Sequence, residues 1–194
     1  MRILIVANPF IAVPPKKYGG TERVIYFLIK GLVELGHEPI LIGAGDSKVP
    51  CRLIESVPMA IFYPKRPMDL PRFNVQVKLI NRKIGRLIKE NITDVDIVHS
   101  HGYDLKRFQY HPNLTTLHGP IMFEHLKNLL SRSREGLCYS TISNNQQIVL
   151  PQLNFAGTVY NGLDTSDFPI VTEPEDYVCF VGRFDREKNP HLAI

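Results

Sequence analysis

An α/β fold built on a parallel sheet is what this sequence predicts, and two observations predict it. Short, continuous apolar runs alternate along the chain with stretches of helical period, the pattern of repeated strand–helix–strand units. Those runs lack the apolar–polar alternation of a half-exposed sheet, so they suit strands covered by helices on both faces. A third observation divides the chain. Tyr177–Ile194 reads as another strand, a turn carrying Gly182, Arg183, Glu187 and Lys188, and the first turn of a helix. A nucleotide-binding α/β domain opens in this way. The expected organisation is therefore one domain over residues 1–171, followed by 172–194 as the start of a second, which the sequence leaves unfinished.

In order, strands are expected at Arg2–Ala7, Glu38–Gly43, Asp96–Ser100, Asn113–Leu117, Leu137–Ile142 and Gly157–Tyr160. A helix is expected from Thr21 to Leu35, with Val24, Phe27, Leu28, Leu32 and Leu35 on its inner face and Gly36 as its C′ residue. A second spans Phe73–Glu90, with Val75, Leu79, Ile84 and Ile88 inward. Shorter helices are expected after Pro120, which suits a first helical position, and after Ser143, which suits an N-cap. The proline-interrupted stretch Met59–Pro71 reads as an irregular connection.

Composition narrows the class. The 194 residues are 44% hydrophobic and 22% charged, as in a globular protein, and no apolar run reaches the ~20 residues of a membrane span. The opening Ile3–Ala7 is too short for a secretory apolar region and reads as a buried strand. Cys51, Cys138 and Cys179 are odd in number and widely spaced, which favours reduced thiols over disulfides or a zinc site and points to the cytoplasm. A net charge of +4 is mild: it suits nucleotide diphosphates or acidic lipid headgroups and argues against nucleic acid as a partner.

Several residues could carry chemistry. The loop Asn8–Gly20 follows the first strand, where ligands of open parallel sheets gather. Gly19 and Gly20 would let a backbone approach a ligand, and the amides at Thr21 and Glu22 could meet an anion. A flexible connection is the plain alternative, and the spacing is not that of a dinucleotide fingerprint. His118, in Thr115–Pro120, ends a strand and could hydrogen-bond a sugar hydroxyl; a structural histidine is the commoner case. His99 and His101 end the strand before it, one of them facing the same cleft. Carboxylates at ligand spacing do not accompany these histidines, so no metal is expected. Asp94-Val95-Asp96 imitates a metal-binding D-x-D but precedes its strand, and it reads as a loop. Arg183 and Lys188 suit a diphosphate, one bidentately and one as a point charge. Lys78, Arg82, Lys83, Arg86 and Lys89 make a basic face on the 73–90 helix, either merely solvated or a peripheral contact with the inner face of an anionic membrane.

Taken in order, PPKKYGGTERVIYFLIKGLVELGHEP, DIVHSH, TTLHGP, YSTIS, GTVYNGLDTSDFP and FVGRFDREKNPHLAI resemble the N-terminal half of glycosyltransferase family 4 over nearly the whole chain. The first loop is closest to a subgroup that includes enzymes glycosylating antibiotics and other small acceptors. The resemblance implies a Rossmann-like parallel sheet flanked by helices, the N-terminal domain of a GT-B fold, with only the start of the second Rossmann domain present. It implies retaining, metal-independent hexosyl transfer from a nucleotide-diphospho-sugar (a UDP- or GDP-sugar), with no other cofactor. Its partners are that donor and a saccharide, lipid or small-molecule acceptor.

Role by role, it implies that Gly19 and Gly20 lie against the donor and that His118 acts near the transferred sugar. Arg183 and Lys188 neutralise the diphosphate, completing a catalytic group of His118, Arg183 and Lys188. Tyr18, His101 and Tyr103 shape acceptor binding. The family's paired glutamates have no counterpart here, and Lys188-Asn189-Pro190 stands in place of Lys-Gly-Pro. On this reading the chain alone is inactive, the acceptor-side half of an enzyme about twice its length. A binding module, or a truncated product that pairs with a separate C-terminal half, is the alternative. A nicotinamide oxidoreductase is disfavoured by the missing glycine fingerprint, with Asp46 the nearest acid after the second strand.

Overall fold

A run such as Ile3-Leu4-Ile5-Val6 is stable as a strand only where both of its faces are covered, and the fold covers both. The computed structural model describes residues 1–62, 69–119, 136–149, 151–165, 171–173, 175–182, 184 and 188–192. Its strands are β1 (Arg2–Val6), β2 (Glu38–Ala44), β3 (Arg52–Val57), β4 (Ile97–Ser100), β5 (Asn113–Leu117), β6 (Tyr139–Thr141) and β7 (Phe155–Thr158). The described helices are α1 (Gly20–Glu34), α2 (Leu70–Asn91) and α3 (Asn144–Val149). All strand pairs are parallel, in the order β3-β2-β1-β4-β5-β6-β7. The direction of winding reverses between β1 and β4, so the crevice beyond their carboxyl ends is where this topology places a ligand.

Alternate residues of β1 enter opposite cores. Ile3 and Ile5 pack with Leu41, Val13 and the α1 residues Ile25 and Ile29. Leu4 and Val6 pack with Ile40, Ile42, Val98 and the α2 residues Ile80, Ile84 and Ile88. The helix faces correct the sequence reading. On α1 the buried apolar positions are Ile25 and Ile29; Val24, Phe27, Leu28 and Leu32 are half-buried and Leu35 is exposed. With apolar residues almost continuous from Val24 to Ile29, several stripes fit the period and the sheet decides among them. On α2 the inner stripe is Phe73, Ile80, Ile84 and Ile88, while Val75 and Leu79 stand exposed.

The helix ends have local causes. His37 N donates to Leu32 O and Gly36 N to Val33 O, with Gly36 at φ +75°, a Schellman closure of α1 at the expected glycine. Helix α2 begins at Leu70, earlier than expected, because Pro71 sits in its first turn, where its missing N–H costs nothing. The expected strands recur with ends displaced by a few residues. One strand went unforeseen: β3, a sheet edge whose Arg52 and Glu55 are exposed. The helix expected after Pro120 lies outside the described residues.

The chain divides into two compact units, Met1–Leu163 and Asp164–Ile194. In the second, the strand expected from Tyr177 does not form: among the described residues of that unit no neighbouring strand accepts its ladder. Among the described residues a 3-10 turn, Pro190–Leu192, follows Asn189, whose φ of +47° is the left-handed conformation that glycine or asparagine adopts most readily.

Candidate active site

Strands β1, β4 and β5 each end in a segment that bends over the switch point. The segment after β1 is anchored in its first half. Ile61 N donates to Pro9 O, Phe62 N to Phe10 O, Lys48 N to Val13 O, and Val13 N to Ser47 Oγ. Phe10 packs on Phe73 of α2 with the rings tilted, 5.8 Å between centroids. These bonds pin the loop from Pro9 to Val13. At its end Gly19 caps α1, accepting the Arg23 N–H on its carbonyl, with φ +157° and Pro15 so close that a Cβ would lie 2.6 Å from its ring. Only glycine fits there. Gly20, by contrast, is exposed, with open space where a side chain would go.

The anion site expected at the start of α1 is complicated by Glu22. Its side chain is buried against Gly19, and burial raises its carboxyl above the usual range while its own backbone N–H opposes the rise. An acid in that position works against a diphosphate and in favour of a hydroxyl.

Beyond β4 the turn His101–Tyr103 is organised by Ser100, a fully buried residue. Its hydroxyl donates to Tyr103 O at 2.7 Å and accepts the N–H groups of Tyr103 and Gly102. His101 N donates to Val6 O and Asn8 Nδ2 to His101 O, which ties the turn to β1. Gly102 is required at φ +147°, since a Cβ there would fall 2.5 Å from the Asn8 amide. Gly85 of α2 makes room for the Tyr103 hydroxyl, which lies 2.6 Å from where its Cβ would be. An open groove of ≈ 350 Å³ beside Tyr103 is lined by Asn81, Gly102, Tyr103, Asp104, Lys106 and Arg107.

The histidines form one cluster on the α1 side of the sheet. His101 Nδ1 and His118 Nε2 are 2.7 Å apart, with the rings stacked at 5.0 Å. His99 lies 4.3 Å from His101 between centroids, and its Nε2 hydrogen-bonds Thr116 Oγ1 at 2.8 Å. Thr116 Oγ1 in turn shares a hydrogen bond with Ser140 Oγ at 2.7 Å, so polar groups continue across β4, β5 and β6. Burial holds His99 and His118 neutral down to about 4, with the mutual repulsion of imidazolium charges adding to it at His99. His101, only 3% exposed, lies well below its ordinary value for the same reasons. At neutral pH the cluster carries no charge: it can hydrogen-bond a sugar, and it cannot neutralise a phosphate.

Gln146 of α3 holds the segment that carries His118, a part the sequence reading missed. Its Nε2 donates to the carbonyls on either side of His118, Gly119 O at 2.8 Å and Leu117 O at 3.2 Å, while its Oε1 accepts Ile142 N at 2.8 Å. A glutamine on a short helix gives no local signal of this.

Tyr18 is exposed on the first loop. His101 is buried against His118, so it meets a ring and not a solvent-facing groove. Lys188 is exposed in the second unit, and Arg183 lies outside the described residues. Asp96 Oδ2 accepts Arg2 N, and Arg2 Nη1 donates to Asp94 O, so the D-x-D segment braces the amino end of β1. Among the described residues no three His, Cys, Asp or Glu side chains gather as a metal site.

No curated protein sequence matches the chain. The crystal structure of AviGT4, a glycosyltransferase involved in avilamycin A biosynthesis, superposes with a TM-score of 0.52 at 23% identity, over 87% of this chain and 44% of that one. A glycosyltransferase from Rickettsia africae ESF-5 gives 0.47 at 22% identity, over 80% and 42%. The chain thus spans under half the length of either structure, and the likeness is one of fold. The family profile described as Glycosyltransferase Family 4 matches residues 18–167, most of the sequence, and on that match the chain belongs to glycosyltransferase family 4.

Proposed function

We propose that this chain forms the acceptor-side domain of a retaining, metal-independent glycosyltransferase that draws on a nucleotide-diphospho-sugar. The observation that carries the reading is the uncharged His101–His118 pair at the carboxyl ends of adjacent strands, beside the switch point of the sheet. A histidine that stays neutral down to about 4 is a weak base at neutral pH. Its contribution is therefore to hold a sugar hydroxyl. The negative charge that develops on the leaving diphosphate falls to Arg183 and Lys188, with the backbone at Gly19 and Gly20 approaching the donor. Buried Glu22 suits a hydroxyl of the sugar or acceptor, and the acceptor itself occupies the groove beside Tyr103, with Tyr18 at its approach.

Peripheral contact with an anionic membrane belongs to the same proposal. Val75 and Leu79 are exposed on α2 within the same turns as Lys78, Arg82 and Lys83, an apolar insertion flanked by cations. No described helix is long and apolar enough to cross a membrane.

The test is transfer from UDP- and GDP-sugars by the native polypeptide, followed as release of nucleoside diphosphate. His118→Ala and Arg183→Ala are each expected to lower turnover more than about tenfold with the fold retained. Near-normal rates in both would overturn the site, and loss of activity in EDTA with recovery on added divalent cation would overturn metal independence. Sedimentation with anionic vesicles is expected to be lost when Lys78, Arg82 and Lys83 are neutralised.

A further inference from the structure

The geometry points to His101 as a positioning residue that fixes the tautomer of His118: His101 donates from Nδ1, and His118 therefore presents an Nδ1–H donor to its ligand. This rests on His118 being the sugar-facing residue of the proposed function, but it can be measured without activity.

Each neutral imidazole has one N–H and one bare nitrogen. One proton lies between His101 Nδ1 and His118 Nε2, which are 2.7 Å apart, so one ring donates and the other accepts. His101 Nε2 is buried and, among the described residues, has no hydrogen-bond partner. If His101 accepted at Nδ1, its only proton would sit on that orphaned Nε2. A buried N–H without a partner is the rarer and costlier defect, whereas an under-used acceptor is better tolerated. His101 is therefore the Nδ1–H tautomer and donates to His118 Nε2. With Nε2 occupied by that incoming bond, the single proton of neutral His118 is on Nδ1. Among the described residues nothing hydrogen-bonds that atom, which leaves it to a ligand.

The consequence is chemical selection. A fixed donor recognises an oxygen that can accept, such as a sugar hydroxyl, ether or phosphate oxygen, and rejects an ammonium group in the same place. His101 does this from within the core, touching neither donor nor acceptor.

The experiment is ¹⁵N–¹H correlation of the imidazole nitrogens in the full chain near neutral pH, with His118 assigned by His118→Gln. The expected result is a protonated Nδ1 and a bare Nε2 at His118. In His101→Phe, which keeps a ring and removes the donor, His118 is expected to shift to a mixture dominated by Nε2–H. In His101→Asn, whose amide nitrogen lies close to the position of Nδ1, the Nδ1–H form is expected to return. A protonated Nε2 at His118 in the unmodified chain overturns the assignment. So does a His118 tautomer that His101→Phe leaves unchanged. If His101→Phe fails to fold, the unmodified chain still decides. Undiminished glycosyl transfer in His118→Ala together with the Nδ1–H signature would refute the functional reading and leave the tautomer assignment standing.

Discussion

Gln146→Leu separates the architecture of the site from its chemistry. The replacement is near in volume, so little packing is lost, and what disappears is the set of hydrogen bonds to Ile142 N, Leu117 O and Gly119 O. Their costs differ. Gly119 is exposed, so water can take over its carbonyl; Leu117 O is half-covered and loses on the order of 0.5 kcal/mol. Ile142 N–H, facing a leucine side chain, loses about 1–2 kcal/mol as an unpaired donor. The total is about 2 kcal/mol. With a urea m-value near 2 kcal/mol/M, the midpoint should fall by about 1 M. Freed of its two anchors, the segment carrying His118 can move by on the order of 1 Å, enough to lower turnover up to about 100-fold. Gln146→Glu keeps an acceptor for Ile142 N and loses only the donors, so it should fall between. Urea titration followed by circular dichroism, with turnover measured alongside, is the assay. A midpoint within about 0.2 M of the unmodified protein would refute the reasoning, because buried backbone partners of that kind cannot be lost at no cost.

Two further outcomes are expected. Gly102→Ala places a methyl 2.5 Å from the Asn8 amide at φ +147° and should cost about 1–3 kcal/mol in urea titration while displacing the His101 turn; a neutral result would show the turn is not constrained as described. For His99 and His118 the folded values, about 4, lie below the unfolded value of 6.5, so the unfolded chain binds more protons between those limits. Stability should then be fully present above pH 6.5 and be lost as pH falls toward 4, by on the order of 3 kcal/mol for each imidazole. Replacing both by Gln should reduce that slope and leave the share of buried His101, whose value is also lowered by burial, as read from urea midpoints at a series of pH values.

What the sequence made legible follows from where the physics is local. Continuous apolar runs located β1 and β2 well because each must be covered on both faces. Strand β3 escaped because an edge strand needs one neighbour and tolerates Arg52 and Glu55. The faces of α1 and α2 were less legible: Ile25 and Ile29 turn inward because the sheet lies there, and Val75 and Leu79 are left outside although their period admits the core. His118 and the histidines of the preceding strand were visible as residues at strand ends. Their pairing was not, because it depends on the register that sets β4 against β5. Gln146 and Ser100 act on backbone atoms, which no side-chain pattern announces.

The strand order has a consequence for how the protein is made. In the finished sheet β1 is interior, flanked by β2 and β4. During synthesis it is an edge. Strands β1, β2 and β3 can pair once Val57 has emerged, but the far side of β1 waits for Ile97, roughly 40 residues and some 2–8 s later at ribosomal rates. Through that interval a run of Ile, Leu and Val presents unpaired N–H and C=O groups, the condition that invites pairing with another nascent chain. The crevice that the switch of winding creates thus begins as an open seam, closed only when β4 arrives with His99 and His101.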